Sequence, residues 1–111
     1  MGQLVLAVTM LALCAALPAY GADAESAYTL SIKDHRFDPA ELEVPAGKKI
    51  RLTVKNLDPT PEEFESKGLK REKVIKGGAD AVIMIGPLKP GTYRFYGEYN
   101  EKTAQGRIVV K

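Results

Sequence analysis

The chain has 111 residues, 45% of them hydrophobic and 27% charged, with a formal net charge of +2. That size supports one hydrophobic core rather than two, and so small a net charge gives little long-range attraction for polyanions. There is one Cys (Cys14) and one His (His35), so no internal disulfide can form and no thiol stands beyond residue 14.

Residues 1–22 carry no charge, and Leu4 to Leu17 is an unbroken apolar or small-residue run followed by Pro18, Ala19, Tyr20, Gly21 and Ala22. A spanning helix needs about 20 apolar residues, so the run is too short to cross a membrane. Ending in small residues, it reads as a secretory signal peptide cleaved after Gly21, Ala22 or Ala24. Two irregularities stand out: Met1-Gly2-Gln3 lacks a basic residue, and Leu13-Cys14 offers a poor alternative site for lipid attachment. The expected division is a signal peptide over 1–22 and an exported domain over 23–111, placed in the periplasm and free of cysteine.

The exported part breaks into short segments at close turn signals. Tyr28 to Ile32 alternates polar and apolar residues, as does Glu41 to Val44, and Pro45-Ala46-Gly47 turns the chain into Lys49 to Lys55. Period-two patterning predicts strands with one buried face. Asn56 to Pro61, with two prolines, is a loop. Then come Glu63-Phe64-Glu65, a basic stretch from Lys67 to Lys76 expected as a solvated loop or short helix, and a Gly77-Gly78 turn. The strands Ala81 to Ile85, Thr92 to Tyr96 and Gly106 to Lys111 complete the chain. Seven or eight strands at this spacing argue an all-β, Greek-key β-sandwich.

In an extended segment successive side chains alternate faces, so Glu63 and Glu65 project together while Phe64 turns into the sandwich. Two carboxylates about 7 Å apart by strand geometry can share a cation, and carboxylate oxygen suits iron or manganese better than Cu(I). The alternative is that both are solvated and paired with lysines of the 67–76 stretch. Met84, inside an apolar strand, is expected in the core. No nucleophile with a base, phosphate loop or aromatic stacking platform supports a hydrolase, nucleotide or nucleic-acid reading.

The order Phe37-x-Pro39-x-x-Leu42-x-Val44-Pro45-Ala46-Gly47, Leu52-x-Val54-x-Asn56, Pro90-Gly91-Thr92-Tyr93-x-Phe95-Tyr96 and Gly106-x-Ile108-Val109-Val110 resembles the plastocyanin-like cupredoxin pattern. The resemblance implies a copper site, yet the position of its first His falls among Glu62-Glu63-Phe64-Glu65, its Cys matches Gly97, its second His matches Asn100, and no Met follows. The triplet Glu63-Phe64-Glu65 is similar to one in the cupredoxin-like periplasmic components of bacterial iron uptake, of the EfeO and FtrB type. That resemblance implies binding of an iron or copper ion, without type 1 copper, ahead of a membrane iron permease or another periplasmic uptake component. The plastocyanin-like resemblance places His35, two residues before Phe37, at the copper-holding end of the sandwich. The expected metal set is therefore Glu63, Glu65, His35 and Glu98. An accessory ferroxidase and a metal-free protein-interaction module are the alternatives, with zinc-free and iron-free calorimetry and oxygen uptake on Fe(II) addition separating them.

Overall fold

The computed structural model describes residues 2, 3 and 25–111; the apolar run from Leu4 to Leu17, Cys14 and the cleavage sites lie outside the described residues. Among the described residues no helix is long and apolar enough to cross a membrane.

Among the described residues nine strands follow one another: β1 (Ser26–Lys33), β2 (Arg36–Asp38), β3 (Glu41–Val44), β4 (Ile50–Asn56), β5 (Glu62–Ser66), β6 (Arg71–Ile75), β7 (Asp80–Ile85), β8 (Gly91–Gly97) and β9 (Gln105–Val110), with a 3₁₀ turn (Glu98–Asn100) between the last two. They form two mixed sheets, a four-stranded β2-β1-β4-β7 and a five-stranded β3-β9-β8-β5-β6. The pairs β1/β4 and β3/β9 are parallel, and the remaining ladders are antiparallel. The expected all-β sandwich is what forms.

The strands follow the patterning. In β4 every second residue, Ile50, Leu52, Val54 and Asn56, is buried, and in β7 Ala81, Ile83 and Ile85 alternate with exposed neighbours. Those faces meet the inward side chains of β5, β8 and β9 in one apolar layer. At its centre Phe64 stacks on Phe95 with centroids 5.3 Å apart, and Phe37 meets Phe95 edge-on at 4.9 Å, both favourable aromatic arrangements.

Two expectations are corrected. The basic stretch 67–76 is not a loop or helix throughout: after a turn it forms β6, whose only buried residue is Ile75. An edge strand with one inward apolar residue shows no alternation in sequence, because its partner's backbone rather than its own burial holds it extended. Met84 is not core either. The parity of β7 puts Ile83 and Ile85 inside and leaves Met84 partly exposed on the outer face.

The loop after β4 is ordered by buried polar groups. Asn56 Nδ2 lies within hydrogen-bonding range of the carbonyl oxygens of Thr60 (2.8 Å), Ile75 (3.1 Å) and Lys76 (3.3 Å), and its Oδ1 accepts from the N–H of Asp58. One side chain thus joins the end of β4, the entry to β5 and the end of β6.

Candidate functional site

The faces of β5 separate its residues as their parity requires. Glu62, Phe64 and Ser66 are buried, while Glu63 and Glu65 stand half-buried on the outer face of the five-stranded sheet. Pairing decides what surrounds them. On one side β6 sets Glu72 directly opposite Glu65; on the other, β8 sets Tyr96 opposite Glu65 and Gly97 opposite Phe64, so that Glu98, next along the chain, falls beside Glu63.

Three carboxylates therefore converge, with one ligand oxygen from each of Glu63, Glu65 and Glu72 within 4.8 Å of the others. Glu98 neighbours them at the Glu63 end and raises the proton affinity of Glu63. Among the described residues the ion pairs are His35 with Asp58, Arg107 with Glu41 and Lys111 with Glu43. No lysine or arginine pairs with the acidic group, although Lys67, Lys70 and Arg71 border the same depression as Glu65 and Glu72. Oε2 of Glu65 is buried and accepts no hydrogen bond.

Facing like charges without a donor shows in the proton affinities. Partial burial and then the Glu98 carboxyl push Glu63 up to about 7, with Glu65 and Glu72 adding to it. Glu65 is raised by partial burial and by Glu72 opposite, and the Tyr96 phenol by burial and Glu65. Directly opposed like charges on neighbouring strands destabilise a sheet, and each carboxylate disfavours ionisation of the next. Protons or a hard or borderline cation are what the donor chemistry of such an all-oxygen set can accept.

His35 occupies the β1–β2 turn. It and Asp34 adopt the left-handed conformation (φ 57° and 52°), and their N–H groups donate to Asp58 Oδ2 (3.0 Å) and Oδ1 (2.7 Å). Those bonds, that of His35 first, hold the Asp58 carboxyl below its usual range against the opposing effect of burial. The imidazole is half-exposed, with Nδ1 3.6 Å from Asp58 Oδ2. It lines one depression with Glu98, Tyr99 and Asn100. Glu98 thus borders both groups: it meets Glu63 on the sheet face and shares the depression with His35.

Of the four expected residues, Glu63, Glu65 and Glu98 lie together on the sheet face, while the three-carboxylate convergence includes neither His35 nor Glu98. Its third member, Glu72, went unread because it sits among five cations in sequence. Only the β5–β6 pairing, which sets Glu72 opposite Glu65, reveals it.

Beneath this face lies a second carboxylate environment. Glu62 is 1% exposed. Its Oε1 accepts from the N–H of Tyr99 (2.9 Å) and of Glu63 (3.1 Å), and its Oε2 accepts from Asn100 Nδ2 (2.7 Å). The group presses against Gly97, where an added Cβ would lie 2.6 Å from Glu62 Cδ and 2.7 Å from the Ala104 Cβ.

The chain is 48% identical over 81 residues to the uncharacterized protein RP394 of Rickettsia prowazekii (strain Madrid E); the match covers 73% of this chain and 65% of that protein. Among solved structures, the metal-binding domain of the Streptococcus pneumoniae D39 Cu(I)-exporting P-type ATPase CopA, determined with Cu(I), superposes with a TM-score of 0.70 at 17% identity, covering 78% of this chain and 86% of that one. Auracyanin A, a blue copper protein from Chloroflexus aurantiacus, gives 0.68 at 16% identity over 79% of this chain and all of that one (100%). At these identities the likeness speaks for the sandwich and its strand order alone. The model of the cupredoxin-like domain matches residues 3–110, nearly the whole chain, and the protein belongs to that family.

Proposed function

We propose that this protein is an exported cation carrier of an iron-uptake system. In this reading Glu63, Glu65 and Glu98, completed by Glu72, hold an iron ion, or a copper ion in its place, and His35 stands at the margin of the site. The observation that carries the reading is the convergence of carboxylates on the β5–β6–β8 face, none of which forms an ion pair with a lysine or arginine among the described residues. An acidic group that needed only solubility would lie dispersed. This one raises its own proton affinity, and an incoming cation relieves that by taking the place of the protons.

Copper bound as in a blue copper protein does not fit the interior of this end. The Cys and second-His positions of the cupredoxin pattern hold Gly97 and Asn100, no thiol exists in 25–111, and the buried carboxylate of Glu62 fills the space between them. Without a thiolate the intense colour of a Cys–Cu bond cannot arise. Delivery to a membrane iron permease, or to another periplasmic uptake component, is the partner reading that accompanies a carrier role.

The deciding experiment is titration of the domain 23–111 with Fe(II), Fe(III) and Cu(II) against a chromogenic chelator. A saturable one-to-one complex that is colourless or weakly coloured with Cu(II), and that is lost in the Glu63→Gln/Glu65→Gln variant, is the expected result. An intensely blue Cu(II) complex would contradict the carboxylate site, and affinities unchanged in the double variant would sink the proposal and leave a protein-interaction sandwich as the surviving alternative.

A further inference from the structure

We propose that Glu62 is the positioning residue of the carboxylate face: by capping the 98–100 turn from the neighbouring strand, it holds Glu98 beside Glu63. The inference deepens the cation-carrier reading and rests on it.

The 3₁₀ turn begins after Gly97, which offers no side-chain cap. The first N–H groups of any helical turn need acceptors from outside the turn. Glu62 supplies one from β5, taking the Tyr99 N–H at 2.9 Å on Oε1 and the Asn100 side chain at 2.7 Å on Oε2. The same Oε1 also takes the backbone N–H of Glu63 at 3.1 Å. A single oxygen atom therefore bridges the backbone that carries Glu63 and the backbone that follows Glu98, and it fixes their separation. The far side of the turn is closed by Ala104 N–H donating to Asn100 O and Gly97 N–H donating to Ala104 O, both at 2.8 Å. Glu98 is the residue between these ties, so its backbone has little room to drift from Glu63. Gly97 completes the device, since any side chain there would occupy the volume of the Glu62 carboxyl.

Substitution chemistry separates this role from simple filling of space. In Glu62→Gln the amide oxygen still accepts from Tyr99 and Glu63, and its NH₂ can donate to Asn100 once that amide turns over, so the cap survives. Glu62→Ala removes all three bonds. With Fe(II) and Cu(II) as probes in chelator competition, Glu62→Ala and Glu98→Gln should each weaken binding about tenfold. The Glu62→Ala/Glu98→Gln double variant should be no weaker than either alone, because both lose the same Glu98 contribution. Glu62→Gln should stay within about threefold of the parent. Additive losses, or Glu62→Gln as weak as Glu62→Ala, would overturn the proposal. Should Glu62→Ala not fold, Asn100→Ala removes one bond of the three and should show the same non-additivity with Glu98→Gln on a smaller scale.

A metal-free arm keeps the two readings apart. In the apo protein the Tyr99 amide should be protected from hydrogen exchange, lose that protection in Glu62→Ala and keep it in Glu62→Gln and Glu98→Gln. If no cation binds the parent protein, the carrier reading falls and Glu62 positions no site. Unaltered Tyr99 exchange in Glu62→Ala, with binding intact, overturns the capping alone.

Discussion

Glu62 and Glu63 are neighbours on one strand, with the same side chain and opposite fates. The inward carboxylate is the more deeply buried of the two, yet it is surrounded by three N–H donors within 3.1 Å. The outward one is only half-buried, faces Glu98 and Glu65 instead of donors, and is pushed up to about 7. Around Glu63 the neighbouring carboxylates add to the effect of partial burial, whereas around Glu62 the neighbours are hydrogen-bond donors. Glu62 is satisfied and serves the architecture, whereas Glu63 and Glu65 are left wanting a positive charge.

The comparison can be broken most severely from the inside. Glu62→Ala leaves the Tyr99 N–H and the Asn100 amide without an acceptor, so it should cost about 3 kcal/mol in a denaturant titration. Glu62→Gln should cost under about 1 kcal/mol by the same principle; equal losses would mean that charge, not capping, keeps Glu62 in place.

Attacking the outer face should leave the fold alone and remove binding. Glu63→Gln/Glu65→Gln is expected to weaken cation affinity at least about 100-fold, and Glu72→Gln about tenfold, measured by chelator competition. Without metal the same double variant reports on the carboxylates directly. A carboxyl whose folded value is raised favours folding most below its unfolded value of about 4.5 and gives up that contribution as pH rises through the folded value, about 7 for Glu63. Apo stability attributable to this face should therefore fall between pH 4.5 and 7, and the double variant should show a flatter profile over that window. A parent protein whose stability rises steadily across it would contradict the raised proton affinity.

The contact between the two layers gives a third test. Gly97 has an ordinary extended φ of −91°, so alanine there meets no backbone strain, only the Glu62 carboxyl and Ala104. Overpacking of this kind should cost about 2 kcal/mol, seen as a lower denaturant midpoint. A neutral Gly97→Ala would show that Glu62 can move aside, and the inner carboxylate would then be no fixed part. The smallest effect belongs to His35→Gln, which keeps the backbone N–H bonds to Asp58 and should change cation affinity by less than about threefold, below the effect of Glu98→Gln.

Much of this was legible in the chain, for identifiable reasons. The alternation of β4 and β7 and the turn residues before and after them marked strands, because each has a fully buried face. The inward Phe64 and outward Glu63 and Glu65 followed from parity alone. What could not be read was anything set by pairing between distant segments. β6 gave no strand signal since only Ile75 is buried, and with it went Glu72, whose place opposite Glu65 is a matter of register. Met84 is hidden in an apolar run, Ala81 to Ile85, whose two faces look alike in sequence, so only the strand's orientation in the sandwich turns it outward. Glu62 read as one more acid in an acidic segment, and its three donors come partly from residues 99 and 100.

The short loop between Asn56 and β5 acts as a phase setting for all of this. Asn56 binds Thr60 O at 2.8 Å and anchors the Asp58 N–H, Asp58 in turn grips the 34–35 turn, and two prolines stiffen the interval. Strand parity has only two settings, so removing one residue from this interval would turn β5 over. Phe64 would face water, Glu63 and Glu65 would enter the aromatic core, and Glu62 would leave its donors. Conservative changes of side chain in the loop should be tolerated where changes of its length are not, which makes residue count, rather than residue type, the quantity this stretch must keep.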